Sequence, residues 1–185
     1  MGRKPLIWYP GAVYHITTRG NHRNDIFRNV EDYLVYLTIL QEVLERYKGL
    51  LYCYCLMTNH THLMIETGEI VISEIMKRLN EMYVKYFNIK YNLVGHLFQG
   101  RYFQQIIESD SHILDASKYI HLNPVKAKMV NIPEEYTWSS YSMYIGLKKE
   151  KLITSGKVLP YFKGDSRLIY KEYVERDMLI NEDAQ

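Results

Sequence analysis

The stretch Leu51–Glu66, LYCYCLMTNHTHLMIE, constrains the fold of this chain more than any other. Two apolar runs flank Thr58-Asn59, and runs of that kind around a two-residue turn read as a β-hairpin. In such a hairpin Met57 lies opposite His60, and Cys55 opposite His62. Side chains alternate along a strand, so His60 and His62 share one face and Thr61 takes the other. Two neighbouring imidazoles on rigid backbone make two-thirds of a facial metal site. Cys53 and Cys55 on the facing strand leave a structural zinc site open as well, although two cysteines equally suit a buried strand.

Before the hairpin, Ala12–Thr18 alternates as a strand, and Arg19-Gly20-Asn21 ends it with turn residues. Asn29 caps a helix that has Glu31 and Asp32 in its first turn, where carboxylates suit the helix dipole. Leu34, Leu37, Leu40, Leu44 and Tyr47 give that helix an apolar face, and Gly49 stops it. After the hairpin, Ile70–Tyr91 is a second amphipathic helix with Ile72, Ile75, Met76, Leu79, Met82, Tyr83 and Tyr86 inward.

A loop over 92–100 leads to a strand at Arg101–Glu108. Ser109, Asp110 and Ser111 offer caps for a third helix running to Asn123. Pro124 is expected to interrupt or restart it, with a short helix through Val130. A last helix is expected at Ser166–Leu179. The order β-α-β-β-α-β-α predicts an antiparallel sheet with helices on one face, an α+β sandwich. Residues 1–146 read as the main domain, and 147–185 as a partly helical C-terminal extension.

With 185 residues, 47% hydrophobic and 24% charged, the chain can bury an ordinary globular core. No apolar run approaches the ~18 residues of a membrane span. The first residues lack the apolar centre of a secretory signal, and two cysteines give no disulfide framework. The expectation is a cytoplasmic protein with no membrane contact. A net charge of +2 is no bulk signature of nucleic-acid binding. Its distribution says more: Arg3, Lys4, Arg19, Arg23 and Arg28 stand against Asp25 alone near the start, while Glu172, Glu175, Asp177, Glu182 and Asp183 crowd the end. That asymmetry is compatible with phosphate binding on one side. Most of the 18 tyrosines belong to core or rim, and exposed ones can stack unpaired bases.

Tyr119 and Asn123 lie four apart, on one face of the third helix. An amide oxygen there can serve as third ligand to a hard divalent ion, with a phenol in reach. A rim aromatic and a helix-ending Asn before Pro124 would show the same spacing, so spacing alone leaves both readings open.

Met57-Thr58-Asn59-His60-Thr61-His62-Leu63 resembles the HUH motif of single-tyrosine HUH transposases. Tyr119-Ile120-His121-Leu122-Asn123-Pro124-Val125-Lys126-Ala127 is similar to the tyrosine helix of their REP-associated tyrosine transposase branch. Arg19-Gly20-Asn21 before Phe27, and Trp138-Ser139-Ser140-Tyr141, also fall where that branch has similar stretches. The resemblance spans roughly residues 12–145 and departs at Thr61, where the family carries a bulky apolar residue. It implies an HUH endonuclease fold, in ferredoxin-like arrangement, with the sheet sandwiched by helices. It also implies a metal-dependent single-stranded DNA endonuclease and strand transferase acting on DNA hairpins. His60, His62 and Asn123 would hold Mg²⁺ or Mn²⁺, and Tyr119 would attack to give a 5′-phosphotyrosine. A free phenol has a pKa near ~10, so such a nucleophile needs help to lose its proton.

Arg19, Asn21, Arg23 and Arg101, with Lys126 and Lys128 after the tyrosine helix, are the candidate DNA contacts. His15, His22, His96, His112 and His121 carry no assigned role and are expected to be structural or exposed. A homodimer and a monomer are both compatible with the family. The alternative function is a non-catalytic module that grips hairpin DNA or RNA for regulation.

Overall fold

The computed structural model of the chain describes residues 7–182. Arg3, Lys4 and Asp183, part of the expected charge asymmetry, lie outside the described residues, as do the side chains of Asp177 and Glu182. Strands β1 (Val13–Arg19), β2 (Leu50–Met57), β3 (His60–Glu66) and β4 (Phe103–Ile107) form one antiparallel sheet in the order β2-β3-β1-β4. Helices α1 (Val30–Tyr47) and α2 (Ile72–Tyr91) join β1 to β2 and β3 to β4. After β4 come α3 (Asp110–Lys126), the short α4 (Tyr141–Tyr144) and α5 (Ser166–Glu182). The element order and the hairpin register are those read from the sequence, with Met57 opposite His60 and Cys55 opposite His62.

Helices cover both faces of the sheet, not one. Tyr36 of α1 lies against Thr61, whereas Tyr119 of α3 lies edge-on to His62, and these neighbours on β3 point to opposite faces. The cause is visible in β2 and β3. Leu51 through Met57, and Thr61 through Ile65, are buried without alternation, and a sheet apolar on both faces must be covered on both.

The buried side of α1 also differs from expectation. Tyr33, Tyr36, Ile39, Leu40, Val43 and Leu44 face the core, while Leu34 is 54% exposed. Two contacts set this rotation. Tyr33 stacks between Phe27 and Trp138, with ring centroids 4.3 and 4.2 Å away. Asp32 is buried as the hub that ties the start of α1 to the end of α2. Its carboxylate accepts from the Arg28 and Asn29 amides, from Tyr86 and Tyr91 hydroxyls, and from Lys90 Nζ at 2.7 Å. Asn29 accepts in turn from the Asp32 amide, completing a capping box.

The tyrosines are mainly core. Tyr14, Tyr36, Tyr83, Tyr141, Tyr144 and Tyr170 are fully buried, and several hydroxyls donate to main-chain carbonyls, as Tyr144 does to Tyr52 and Tyr136 to Leu56. Burial of a phenol is tolerable when its hydroxyl finds such a partner. Among the described residues, the exposed tyrosines are Tyr9, Tyr119 and Tyr161.

Pro124 does not break α3, and no helix runs through Val130; residues 127–132 are turn and irregular chain. Pro124 sits in the last turn, so only its own missing bond is lost there, and the Asn123 side chain donates to the Tyr119 carbonyl beside it. On its inner side α3 buries His121. Tyr170 of α5 contacts Nδ1 at 2.7 Å and Ser140 Oγ contacts Nε2 at 2.8 Å. The segment beyond 146 adds Ile153, Val158, Leu159, Tyr170 and Val174 to the same hydrophobic cluster. It also bridges to the outer edge of β2 at Leu51–Ile153, next to the Cys55–Ser139 bridge.

Burial holds His121 down to about 3, against an ordinary value near 6.5. Such a group destabilises the fold as acid is added, because the unfolded chain takes up its proton first. The stability is intact above pH 6.5 and is lost progressively as pH falls toward the folded value. We expect His121→Gln to flatten the pH dependence of unfolding between pH 6 and 4 by about 1.4 kcal/mol per pH unit, read from urea melts.

Among the described residues, no helix is long and apolar enough to cross a membrane.

Candidate active site

The site lies on the face of the sheet covered by α3. Register puts Thr17 beside His62 and Arg19 beside His60, so β1 and β3 present His15, Thr17, Arg19, His60 and His62 together. Arg19 extends β1 one residue beyond the expected end at Thr18. The strand thereby carries the guanidinium level with His60.

The two histidines of the hairpin have ring centroids 5.0 Å apart. Nδ1 of His60 is 2.6 Å from Asn59 Oδ1. Nδ1 of His62 is 3.0 Å from His15 Nε2 and 3.2 Å from Thr17 Oγ1. Both rings therefore use Nδ1 for contacts within the protein, the arrangement that orients a metal-ligating histidine. Burial holds His60 down to about 4, helped by the nearby Arg19 charge. Burial, then His15, His60 and Arg19, hold His62 down to about 3. At neutral pH both rings are uncharged, as a ligand must be.

Tyr119 reaches this cluster from α3 of the same chain. Its ring meets His62 edge-on at 5.6 Å and His15 at 5.7 Å between centroids. Lys126 Nζ sits 5.0 Å over the ring centre. The phenol is thus gripped on its sides while the residue remains 42% exposed. A cavity of about 660 Å³ opens beside it, lined by His62, Arg19, Arg101, Phe103, Gln105 and Asp115 among others.

Of the residues singled out in the sequence, His62, Tyr119, Arg19 and Arg101 line that cavity together. His60 adjoins His62 but is outside the lining, and so is Asn123. Asn123 Nδ2 donates to the Tyr119 carbonyl at 2.8 Å, which commits the amide nitrogen and turns its oxygen the other way. Asn21 and Arg23 belong to a tight turn packed on the hairpin turn, and Lys128 is exposed past the end of α3 in a left-handed conformation.

His15 is the residue missed at the sequence level. Burial, with His112 beside it, holds His15 down to about 4. Its signal was its parity with Arg19 along β1, which needs the β1–β3 pairing to be interpreted. His112 also lines the cavity, and His22 and His96 are exposed.

The two cysteines are buried and burial pushes both thiols up, which keeps them protonated. Among the described residues no three His, Cys, Asp or Glu side chains come together to hold a metal. A hard divalent ion at His60 and His62 would need amide or water oxygens to complete its shell, and two neutral, oriented imidazoles fit that requirement.

The structure is thus an antiparallel α+β sandwich with a histidine pair on a central strand and a tyrosine on the covering helix. The family model described as "Transposase IS200 like" matches residues 9–123, and the chain belongs to that family. Among solved structures, a REP-associated tyrosine transposase bound to a REP hairpin has the same fold, with TM-score 0.67 at 16% identity over 85% of this chain and 93% of that one. A transposase structure from Deinococcus radiodurans R1, described there as a putative one, gives TM-score 0.46 at 17% identity, covering 64% of this chain and 95% of that one. The tRNA(His) guanylyltransferase of Saccharomyces cerevisiae gives 0.45 at 9%, covering 95% and 81%. No curated protein matches the chain.

Proposed function

We propose that this transposase-family protein is a metal-dependent single-strand DNA endonuclease and strand transferase that acts on hairpin-bearing DNA through Tyr119. The observation that carries the reading is the phenol of Tyr119 packed edge-on against His62, at the mouth of a cavity lined by Arg19 and Arg101. A purely binding module has no use for a nucleophile held against a histidine pair. The fold relative bound to a REP hairpin supports hairpin DNA as the substrate class.

In this reading Arg19 and Arg101 hold the DNA backbone beside the tyrosine, by contacts that weaken with salt. The Tyr119 oxygen gives up its proton to solvent and attacks the scissile phosphorus, a bond to phosphorus forms, and the bond to the 3′ oxygen breaks as that oxygen takes up a proton from solvent. The protein keeps the 5′ phosphate as a tyrosine ester and releases a free 3′-OH. That ester stores the phosphodiester energy, so reversal rejoins DNA without ATP. His60 and His62, with Asn123 as third protein ligand, would hold Mg²⁺ or Mn²⁺, which supplies Lewis-acid stabilisation of charge on the phosphate oxygens. Asn21, Arg23, Lys126 and Lys128 extend the candidate DNA contacts around the site. Lys126 has a second task, because its ammonium over the ring fixes the Tyr119 rotamer. The contact of Tyr119 with His62 of its own chain supports a reading in which one protomer carries the whole site, and a homodimer remains compatible with it.

The test is a labelled hairpin oligonucleotide with a single-stranded flank, incubated with protein and Mn²⁺ and run on a denaturing gel. We expect a covalent protein–DNA band with a free 3′-OH product, abolished by EDTA. A product with a free 5′-phosphate and no covalent band would instead indicate direct hydrolysis. Salt-sensitive binding with neither product would indicate the binding module.

A further inference from the structure

We propose that Asn59 is a positioning residue that holds His60 in its Nδ1–H tautomer, leaving Nε2 as the bare ring nitrogen. The assignment follows from which atoms can donate. The Asn59 side chain spans two neighbours, with Nδ2 3.2 Å from the Arg23 carbonyl and Oδ1 2.6 Å from His60 Nδ1. A backbone carbonyl only accepts, so the amide nitrogen must be the atom that faces Arg23. The amide oxygen then faces His60, and it too only accepts. The short contact at Nδ1 therefore requires a proton on Nδ1. A neutral imidazole carries one ring proton, so Nε2 keeps its lone pair.

The Arg23 carbonyl is itself held in place. His22 and Arg23 both adopt left-handed backbone, with φ of 52° and 60°, a conformation that costs side-chain-bearing residues energy unless their surroundings impose it. Those surroundings are main-chain bonds to the hairpin turn. Gly20 donates to the Asn59 carbonyl at 2.8 Å, and Ile26 and Phe27 both donate to the Thr58 carbonyl. Gly20 must be glycine here, because a Cβ would lie 2.1 Å from the Asn24 carbonyl oxygen. The turn after β1 and the turn before His60 are therefore one rigid unit, with the Asn59 amide as its polar link. This unit carries Arg19 at one end and His60 at the other, so a disturbance of the first turn is transmitted to the ring.

The functional weight of the tautomer rests on the proposed role of His60 as a metal ligand; the tautomer itself does not. The experiment separates the two. In metal-free protein labelled with ¹⁵N-histidine, long-range ¹H–¹⁵N correlation reads which ring nitrogen of His60 is protonated, with the signals assigned by their loss in His60→Gln. We expect Nδ1–H in the wild type and in Asn59→Asp, which keeps an acceptor at that place. In Asn59→Ala the proton should move to Nε2, and the Kd for Mn²⁺ by calorimetry should rise about 10–100-fold. His60 protonated at Nε2 in the wild type overturns the proposal, as does Asn59→Ala with an unchanged tautomer. If Asn59→Ala fails to fold, Asn59→Leu, which fills the space but offers no acceptor, takes its place, and an unchanged Nδ1–H tautomer there overturns the proposal. Tautomers as expected in a protein that binds no Mn²⁺ would leave Asn59 in its role and remove the metal reading instead.

Discussion

Tyr119→Phe should form no covalent protein–DNA band with a hairpin substrate, and cleavage should fall by about three orders of magnitude or more. The substitution removes a single oxygen. The ring stays between His15, His62 and Lys126, so positioning and packing are preserved. Because the residue is 42% exposed, stability should change by no more than about 0.5 kcal/mol. Hairpin binding, measured by fluorescence anisotropy, should also persist, since the cavity arginines are untouched. Intact binding with lost cleavage would isolate the phenol oxygen as the reacting atom. Cleavage at the wild-type rate would remove Tyr119 from the mechanism.

Asp32→Ala should be the most destabilising substitution far from that site. The carboxylate is fully buried and receives two amides, two phenols and an ammonium. Burial alone would raise its pKa, but Lys90, Tyr91, the Arg28 amide and Tyr86 outweigh it and hold the group below its ordinary range. Truncation strands these donors around an empty place. Breaking a buried charged cluster of this kind costs about 3–5 kcal/mol, a large part of the ~5–15 kcal/mol that holds a typical domain. Urea melts at pH 7 should show it, and a loss under about 1 kcal/mol would mean that water replaces the carboxylate. The sign of the pH effect follows from the depressed pKa. Asp32 contributes its full stability above the ordinary carboxylate pKa near ~4, and loses it as pH falls through the folded value.

Local pattern carried much of this architecture. The hairpin register followed from Thr58-Asn59 between two apolar runs, and α2 buried nearly the stripe its spacing predicts. What escaped were effects set by distant partners. Leu34 continues an apolar face on paper, but Asp32 and Tyr33 have stronger partners on α2, Phe27 and Trp138, and they rotate α1 away from it. Pro124 signals a break in any isolated helix, yet near a C-terminus it costs little. At the candidate site, His62 and Tyr119 stood out by motif and helix spacing. His15 did not, because it meets His62 only after β1 has paired with β3. Asn59 looked like a turn residue, and its second task depends on a carbonyl thirty-six positions earlier.

The anchoring of α3 bears on how the protein matures during synthesis. The sheet and both hairpin histidines are complete once β4 has emerged, at residue 107. The helix that carries Tyr119 is then still missing its inner partners, since His121 is gripped by Ser140 and by Tyr170 of α5. At ~5–20 residues per second, a ribosome needs roughly 3–10 s to travel from one tyrosine to the other. For that interval the helix that carries Tyr119 can rest on the sheet, but its buried His121 lacks the Tyr170 hydroxyl that completes its anchoring. A chain interrupted before α5 therefore holds Tyr119 on a helix that lacks one of its two buried anchors, which loosens the place of the ring beside His62.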